Sequence, residues 1–170
     1  AILFRFLTGE APHAGESAKS CLKAVSLNEI ITPDADRLRE LDPTGELLSV
    51  ALKAMATDPV DRYQTVREFQ QAVREFEAHQ ESLKLAASAE ASLEAAEQSG
   101  DYTRYSESLF GFRQAVELWS GNTAAAAGIE RSRQSYALCA EQKEDFELGL
   151  SLLDESTDVQ GEVVERLTAA

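Results

Sequence analysis

Apolar residues recur along most of this chain with the spacing of helices. Two sets of four follow the three- and four-residue spacing of an amphipathic helix face: Leu48, Ala51, Leu52 and Met55, and then Val66, Phe69, Val73 and Phe76. An alternating run of β-branched residues, which would indicate a half-buried strand, occurs nowhere in the sequence. The pattern therefore predicts an all-α fold.

The residues that interrupt helices are concentrated in the first third of the chain. All four prolines fall within residues 1–59, and no glycine occurs between Pro59 and Gly100. A loop-rich beginning should therefore be followed by continuous helix.

A long connecting helix is predicted after this loop-rich part. Thr65 and Glu68 have the form of a capping box, in which each side chain bonds the other residue's amide. We expect the helix to run from residue 65 to about residue 98, a length of about 50 Å at 1.5 Å per residue. A break near residues 79–82 is left open, because the apolar stripe is interrupted there.

Shorter helices are predicted before Pro59. Residues 1–7 and 17–25 form two of them, whereas residues 26–41 are expected to be mostly a connector with a short turn. Asp42 should cap the next helix and Pro43 should occupy its first position, where a missing amide hydrogen costs nothing.

The second half of the chain repeats one theme of helix, turn and helix. A helix follows Gly100-Asp101-Tyr102, a second covers residues 124–140, and a third begins at Glu144-Asp145-Phe146. Residues 163–167 begin another. This arrangement predicts antiparallel helix pairs.

The charge of the chain narrows the choice of partners. The net charge is −14 at pH 7, and residues 81–170 hold 17 acidic and seven basic residues, a local charge of −10. Such a surface repels phosphate backbones and anionic lipids, so we expect neither nucleic acid nor membrane as a partner of this segment. A basic protein partner fits the second half better, although most of these acids are ordinary solvated helix faces.

The two cysteines, Cys21 and Cys139, are far apart and belong to no metal-binding cluster. We expect both to be small buried residues in a reducing, cytoplasmic compartment, and we expect no metal site. No apolar run approaches the ~20 residues of a membrane span. The first seven residues are apolar apart from Arg5 and do not resemble a signal peptide, so we expect the chain to be a piece of a longer one.

Residues 1–80 resemble the last helices of the large lobe of bacterial serine/threonine protein kinases. Leu7-Thr8-Gly9 follows an apolar helix, as in that family, although His13 stands where phenylalanine is usual. The more specific match is Asp58-Pro59-x-x-Arg62-Tyr63 directly after an apolar helix. The resemblance implies that these four residues are a structural motif of the kinase lobe.

The same resemblance implies a structural role for Arg62. In the family this arginine is buried and pairs with the glutamate of an Ala-Pro-Glu motif, which does not occur in this chain. We therefore expect Arg62 to pair with Asp58 or Asp61 instead, or to be exposed to solvent.

The residues that transfer phosphate in kinases are absent from the sequence. It contains no G-x-G-x-x-G loop, no His-Arg-Asp and no Asp-Phe-Gly, and His13 and His79 are isolated. We therefore predict no catalytic residue and no cofactor for this chain, whereas a parent kinase would use ATP and Mg²⁺.

Residues 81–170 resemble tetratricopeptide-type helix pairs. Phe112 and Ala115 follow Tyr102 in the order of that repeat, but Asp101-Tyr102 and Asp145-Phe146 are 44 residues apart, whereas the family repeat has 34. Such stacks present a groove for proteins, and three aromatic residues are candidates to bind a partner there: Tyr102, Trp119 and Phe146. For Trp119 the alternative is that it closes the core at a helix end.

Two functions remain open. The first is a non-catalytic kinase tail whose helical module recruits proteins or regulates the enzyme, and the second is a stand-alone helical-repeat scaffold with a degenerate kinase remnant. An independent enzyme has no residue constellation to support it. A severed kinase lobe should expose four apolar residues and self-associate through them: Ile2, Leu3, Phe4 and Phe6.

Overall fold

The computed structural model describes residues 1–152, and all regular structure in this range is helical. The predicted all-α class is confirmed for these residues. The helices are α1 (Ile2–Thr8), α2 (Ala18–Leu27), α3 (Ala35–Leu41), α4 (Glu46–Ala54), α5 (Val66–Ser99), α6 (Tyr102–Leu118), α7 (Thr123–Gln142) and α8 (Phe146–Leu152), with a 3₁₀ turn at Pro59–Asp61. The helix predicted at residues 163–167 lies outside the described residues.

The chain divides into two compact units, Ala1–Glu77 and the part that begins at Ala78. In the first unit, helix α1 packs against α3 and α4. Its small core contains six apolar residues: Phe4, Leu7, Ala24, Leu47, Val50 and Ala51.

Local capping signals place the ends of the first two helices. Helix α1 ends at Gly9, whose φ of 79° lies in the left-handed region that glycine adopts without steric cost. Helix α2 begins after Ser17, which forms a reciprocal capping box with Ser20. Both helices occur where the sequence predicts them.

Two predictions in the first unit are wrong. Residues 35–41 are helix and not connector, because the Asp34 carboxylate caps the helix by accepting the amides of Asp36 and Arg37 at 2.8 and 3.3 Å. Asp42 is the C-cap residue of that helix and not the residue directly before the next helix, although its buried carboxylate still caps α4 by accepting the Leu48 amide at 2.7 Å.

Helix α4 begins three residues later than predicted and buries a different face. A turn at 42–45 places Gly45 at a φ of 70°, and the helix starts at Glu46. The buried residues are Leu47, Val50 and Ala51, whereas Leu52, predicted to be inward, is partly exposed.

Helix α5 is continuous over 34 residues, so no break occurs at residues 79–82. The Thr65 hydroxyl accepts the Glu68 amide at 3.1 Å as predicted, but the Glu68 carboxylate accepts the Gln64 amide and not that of Thr65. The predicted buried stripe is wrong, because none of its four residues is buried: Phe69, Val73 and Phe76 are half-buried, and Val66 is 74% exposed.

The second unit has the larger core. Helix α6 packs against α7, and α7 packs against α8. The core residues from α5, α6 and α7 are mostly alanines and aromatic residues: Ala86, Ala89, Leu93, Ala96, Tyr105, Phe112, Ala115, Ala125, Tyr136 and Cys139. Gly128 allows α7 to approach α6 closely, since a β-carbon at this position would collide with the Phe112 ring.

The two cysteines differ in burial. Cys139 is buried as predicted, but Cys21 is only half-buried, and neither forms a disulfide. Within residues 1–152, no helix combines the length and apolar character that crossing a bilayer requires.

Candidate functional site

The motif Asp58-Pro59-x-x-Arg62-Tyr63 forms a tight turn after helix α4. The Asp58 carboxylate accepts the Val60 amide at 3.0 Å, and Pro59 occupies the first position of the 3₁₀ turn. A carboxylate cap followed by proline favours the start of a helical turn. The carboxylate accepts an amide hydrogen that would otherwise be unpaired, and proline has no amide hydrogen to leave unpaired.

Arg62 is exposed, the second of the two outcomes that the sequence leaves open. Its Nε–H donates to the Ala56 carbonyl at 2.7 Å, and its Nη2 donates to the Thr57 carbonyl at 3.3 Å. Among the described residues, neither Asp58 nor Asp61 forms an ion pair with it. Arg62 therefore caps carbonyl groups that follow helix α4, where a helix dipole favours a positive charge.

The rest of the turn is held by amide side chains. Gln64 Nε2 lies within 3.1 Å of the carbonyl oxygens of Pro59, Val60 and Arg62. From helix α2's end, Asn28 Nδ2 donates to the Met55 carbonyl at 3.0 Å. These hydrogen bonds hold the segment between helices α4 and α5 in one conformation.

Tyr63 packs at the edge of the same turn. Its ring meets Phe69 edge-on with 5.6 Å between centroids, and Lys53 Nζ lies 4.7 Å from its ring centroid. Burial, assisted by the negative charge of Glu75, raises the pKa of the Tyr63 hydroxyl. Tyr63 therefore has packing contacts and stays protonated at neutral pH.

Of the four residues predicted to be exposed at the start of the chain, three are at least partly exposed and one is buried. Ile2 and Phe6 are 89% and 72% exposed, and Leu3 is half-buried. Phe4 is completely buried, so its predicted exposure is wrong: helix α1 turns Phe4 and Leu7 into the core of the first unit. Ile2, Leu3 and Phe6 instead line an apolar groove of about 720 Å³ with residues of α4 and α5.

In the second unit, the Tyr102 ring contacts side chains of helix α7 and of the residue that follows it. Its ring lies 5.2 Å from that of Tyr136, and Lys143 Nζ lies 4.4 Å above it. The same ammonium group donates to the Gly100 carbonyl at 2.6 Å. Burial and the nearby Asp145 carboxylate raise the pKa of the Tyr102 hydroxyl.

Trp119 lies half-buried at the C-terminal end of helix α6. Its ring packs on that of His79 with 4.4 Å between centroids. A β-carbon at position 121 would collide with the indole, so Gly121 allows the turn to fold over it. This placement corresponds to the alternative in which Trp119 closes a helix end.

Phe146 begins helix α8 and is half-buried. The most exposed aromatic residue of the second unit is one that the sequence analysis did not select: Phe110, 65% exposed in the middle of α6. The signal that could have identified it is helical spacing, because Leu109, Phe112, Ala115 and Val116 share one face of the helix and Phe110 lies off that face. A role in partner binding for Tyr102, Trp119 and Phe146 stays a prediction.

Buried hydroxyl and amide groups connect the helices of the second unit. The Ser82 hydroxyl donates to the Ala115 carbonyl at 2.7 Å, and Asn122 Nδ2 donates to Ser82 Oγ at 2.9 Å. A second buried pair joins Ser108 and Ser132 at 2.9 Å between their hydroxyl oxygens. These contacts span 24 to 40 residues of sequence and fix α5, α6 and α7 together.

An ion pair links the outer faces of α5 and α7. The Arg131 guanidinium binds both carboxylate oxygens of Glu90, at 2.7 and 2.5 Å. This hydrogen bonding lowers the pKa of Glu90, although partial burial acts in the opposite direction. No group of three or more potential metal ligands occurs in the part of the chain that the structure describes.

No family model, no curated protein and no solved structure matches the chain.

Proposed function

We propose that this chain is the non-catalytic C-terminal part of a serine/threonine protein kinase, with a helical module for protein interaction or regulation. The observation that carries the proposal is the turn at residues 58–63. An apolar helix, an aspartate–proline start and an arginine bonded to the carbonyl groups just after that helix occur there in the order of the kinase motif. The parent protein would transfer the γ-phosphate of ATP, bound with Mg²⁺, to serine or threonine residues of proteins.

The free donors of Arg62 support the same proposal. A guanidinium carries five N–H donors, and two atoms of Arg62 already bond the carbonyls of Ala56 and Thr57. In the parent kinase, the remaining donors would form a paired bond with the glutamate of an Ala-Pro-Glu motif. Such a paired guanidinium–carboxylate contact tolerates burial because both groups are satisfied.

The helices of the second unit would supply the interaction module. Helix pairs α6–α7 and α7–α8 pack consecutively, which is the principle of helical-repeat stacks. Phe110 is exposed in the middle of α6 and is the best aromatic anchor that the described residues offer to a partner. The acidic charge of residues 81–170 favours a basic partner, and the chain would act in the cytoplasm.

The decisive experiment is to read the gene upstream of the codon for Ala1. A glycine-rich loop, a lysine, His-Arg-Asp, Asp-Phe-Gly and Ala-Pro-Glu in that order would support a kinase parent. A start codon close by, or an unrelated domain, would overturn it. In a kinase parent, Arg62→Gln should lower kinase activity through loss of folded protein, and the matched change of exposed Arg104→Gln should not.

The second candidate is a stand-alone helical scaffold. It is favoured by one observation: Phe4 and Leu7 are buried by the chain itself, so much of the helix that a kinase would bury is already covered. Sedimentation of the isolated chain separates the candidates. A scaffold should be a monomer or a defined oligomer, whereas a severed lobe should self-associate through Ile2, Leu3 and Phe6, and changing Ile2 and Phe6 to aspartate should abolish that association.

A further inference from the structure

We draw no further inference here: the strongest candidate, the apolar groove of the first unit lined by Ile2, Leu3, Phe6, Ala51, Phe69 and Val73, is an unpartnered face, and nothing in the structure shows what covers it.

Discussion

The two units of this chain are stabilised in different ways. In the first unit, the helices that precede α5 are seven to ten residues long, and side chains cap α2, α3 and α4 but not α1. In the second unit, helices α6 and α7 of 17 and 20 residues pack through alanines, aromatic rings and buried serines. Short isolated helices are marginal in water, so the first unit depends on individual caps as well as on its small core, whereas the second depends mainly on its larger core.

The difference teaches where a single substitution should act. In a close-packed core, removing one large side chain leaves a cavity that neighbours fill only partly. In a unit built on caps, removing one acceptor leaves one or two amides unpaired. We therefore expect substitutions in the core of the second unit to reduce stability more than the loss of a cap in the first unit.

The largest effect is expected for Phe112→Ala in the second unit. Phe112 is buried between α6 and α7, so the change should destabilise the unit by about 3–5 kcal/mol. Urea unfolding followed by circular dichroism would measure the loss, and hydrogen exchange would show which helices open. Phe110→Ala on the same helix is the matched control and should change stability by less than about 0.5 kcal/mol. Equal effects of the two variants would mean that α6 does not pack through Phe112.

The next effect concerns the buried polar contacts. Ser82→Ala removes a donor to the Ala115 carbonyl and the acceptor of the Asn122 amide, leaving both buried without that partner. We expect a loss of about 1–3 kcal/mol. Ser88→Ala, on the exposed side of the same helix, should be neutral or slightly stabilising because alanine favours helix. A neutral Ser82→Ala variant in thermal unfolding would show that the polar contacts contribute no net stability.

A smaller effect is expected from the loss of one cap in the first unit. Asp42→Ala removes the carboxylate that accepts the Leu48 amide and should destabilise α4 by about 1–2 kcal/mol. Faster hydrogen exchange of α4, without a change in α6 or α7, is the expected signature. Asp42→Asn keeps an acceptor oxygen and should restore most of the protection. If the alanine and asparagine variants exchange equally fast, the carboxylate does not act as a cap.

The smallest effect is expected at the Glu90–Arg131 ion pair. A carboxylate with a pKa lowered by folding adds stability above its unfolded pKa of about 4.3, and this stability is lost as the pH falls through the folded pKa. Because both side chains are partly exposed, the contribution should stay below about 1 kcal/mol.

Arg131→Met should therefore flatten the acid side of the stability–pH curve, measured by urea unfolding between pH 7 and about pH 3. Arg104→Met, which changes the net charge equally on the exposed face of α6, serves as the control and should leave the curve's shape intact. An identical curve for both variants would assign the effect to net charge and not to the ion pair.

Local signals predicted much of the fold because they act between residues close in sequence. Gly9, Ser17 and Asp101 mark helix ends through their own φ angle or side-chain cap, and the structure places ends at all three. Helix α3 was missed although Asp34 is a good cap, because the neighbouring Pro33 and the lack of an apolar stripe favoured a connector. Asp42-Pro43 was misassigned since the same dipeptide also suits a helix end followed by a turn.

The contacts of the candidate site were less predictable. Ser82 meets Asn122 across 40 residues, and no periodicity in one sequence identifies such a pair. Helical spacing places Phe112 on the inward face of α6, but it does not predict that the Phe112 ring lies against Gly128 of α7. Short-range chemistry thus predicts the helices and their inward faces, whereas long-range packing decides which residues meet across them.

The position of Trp119 has a practical consequence. It is the only tryptophan of the chain, and its ring lies 4.4 Å from the His79 imidazole inside the second unit. The indole emission of the whole protein therefore comes from one place. Tryptophan fluorescence therefore reports on the second unit alone, because the first unit contains no tryptophan.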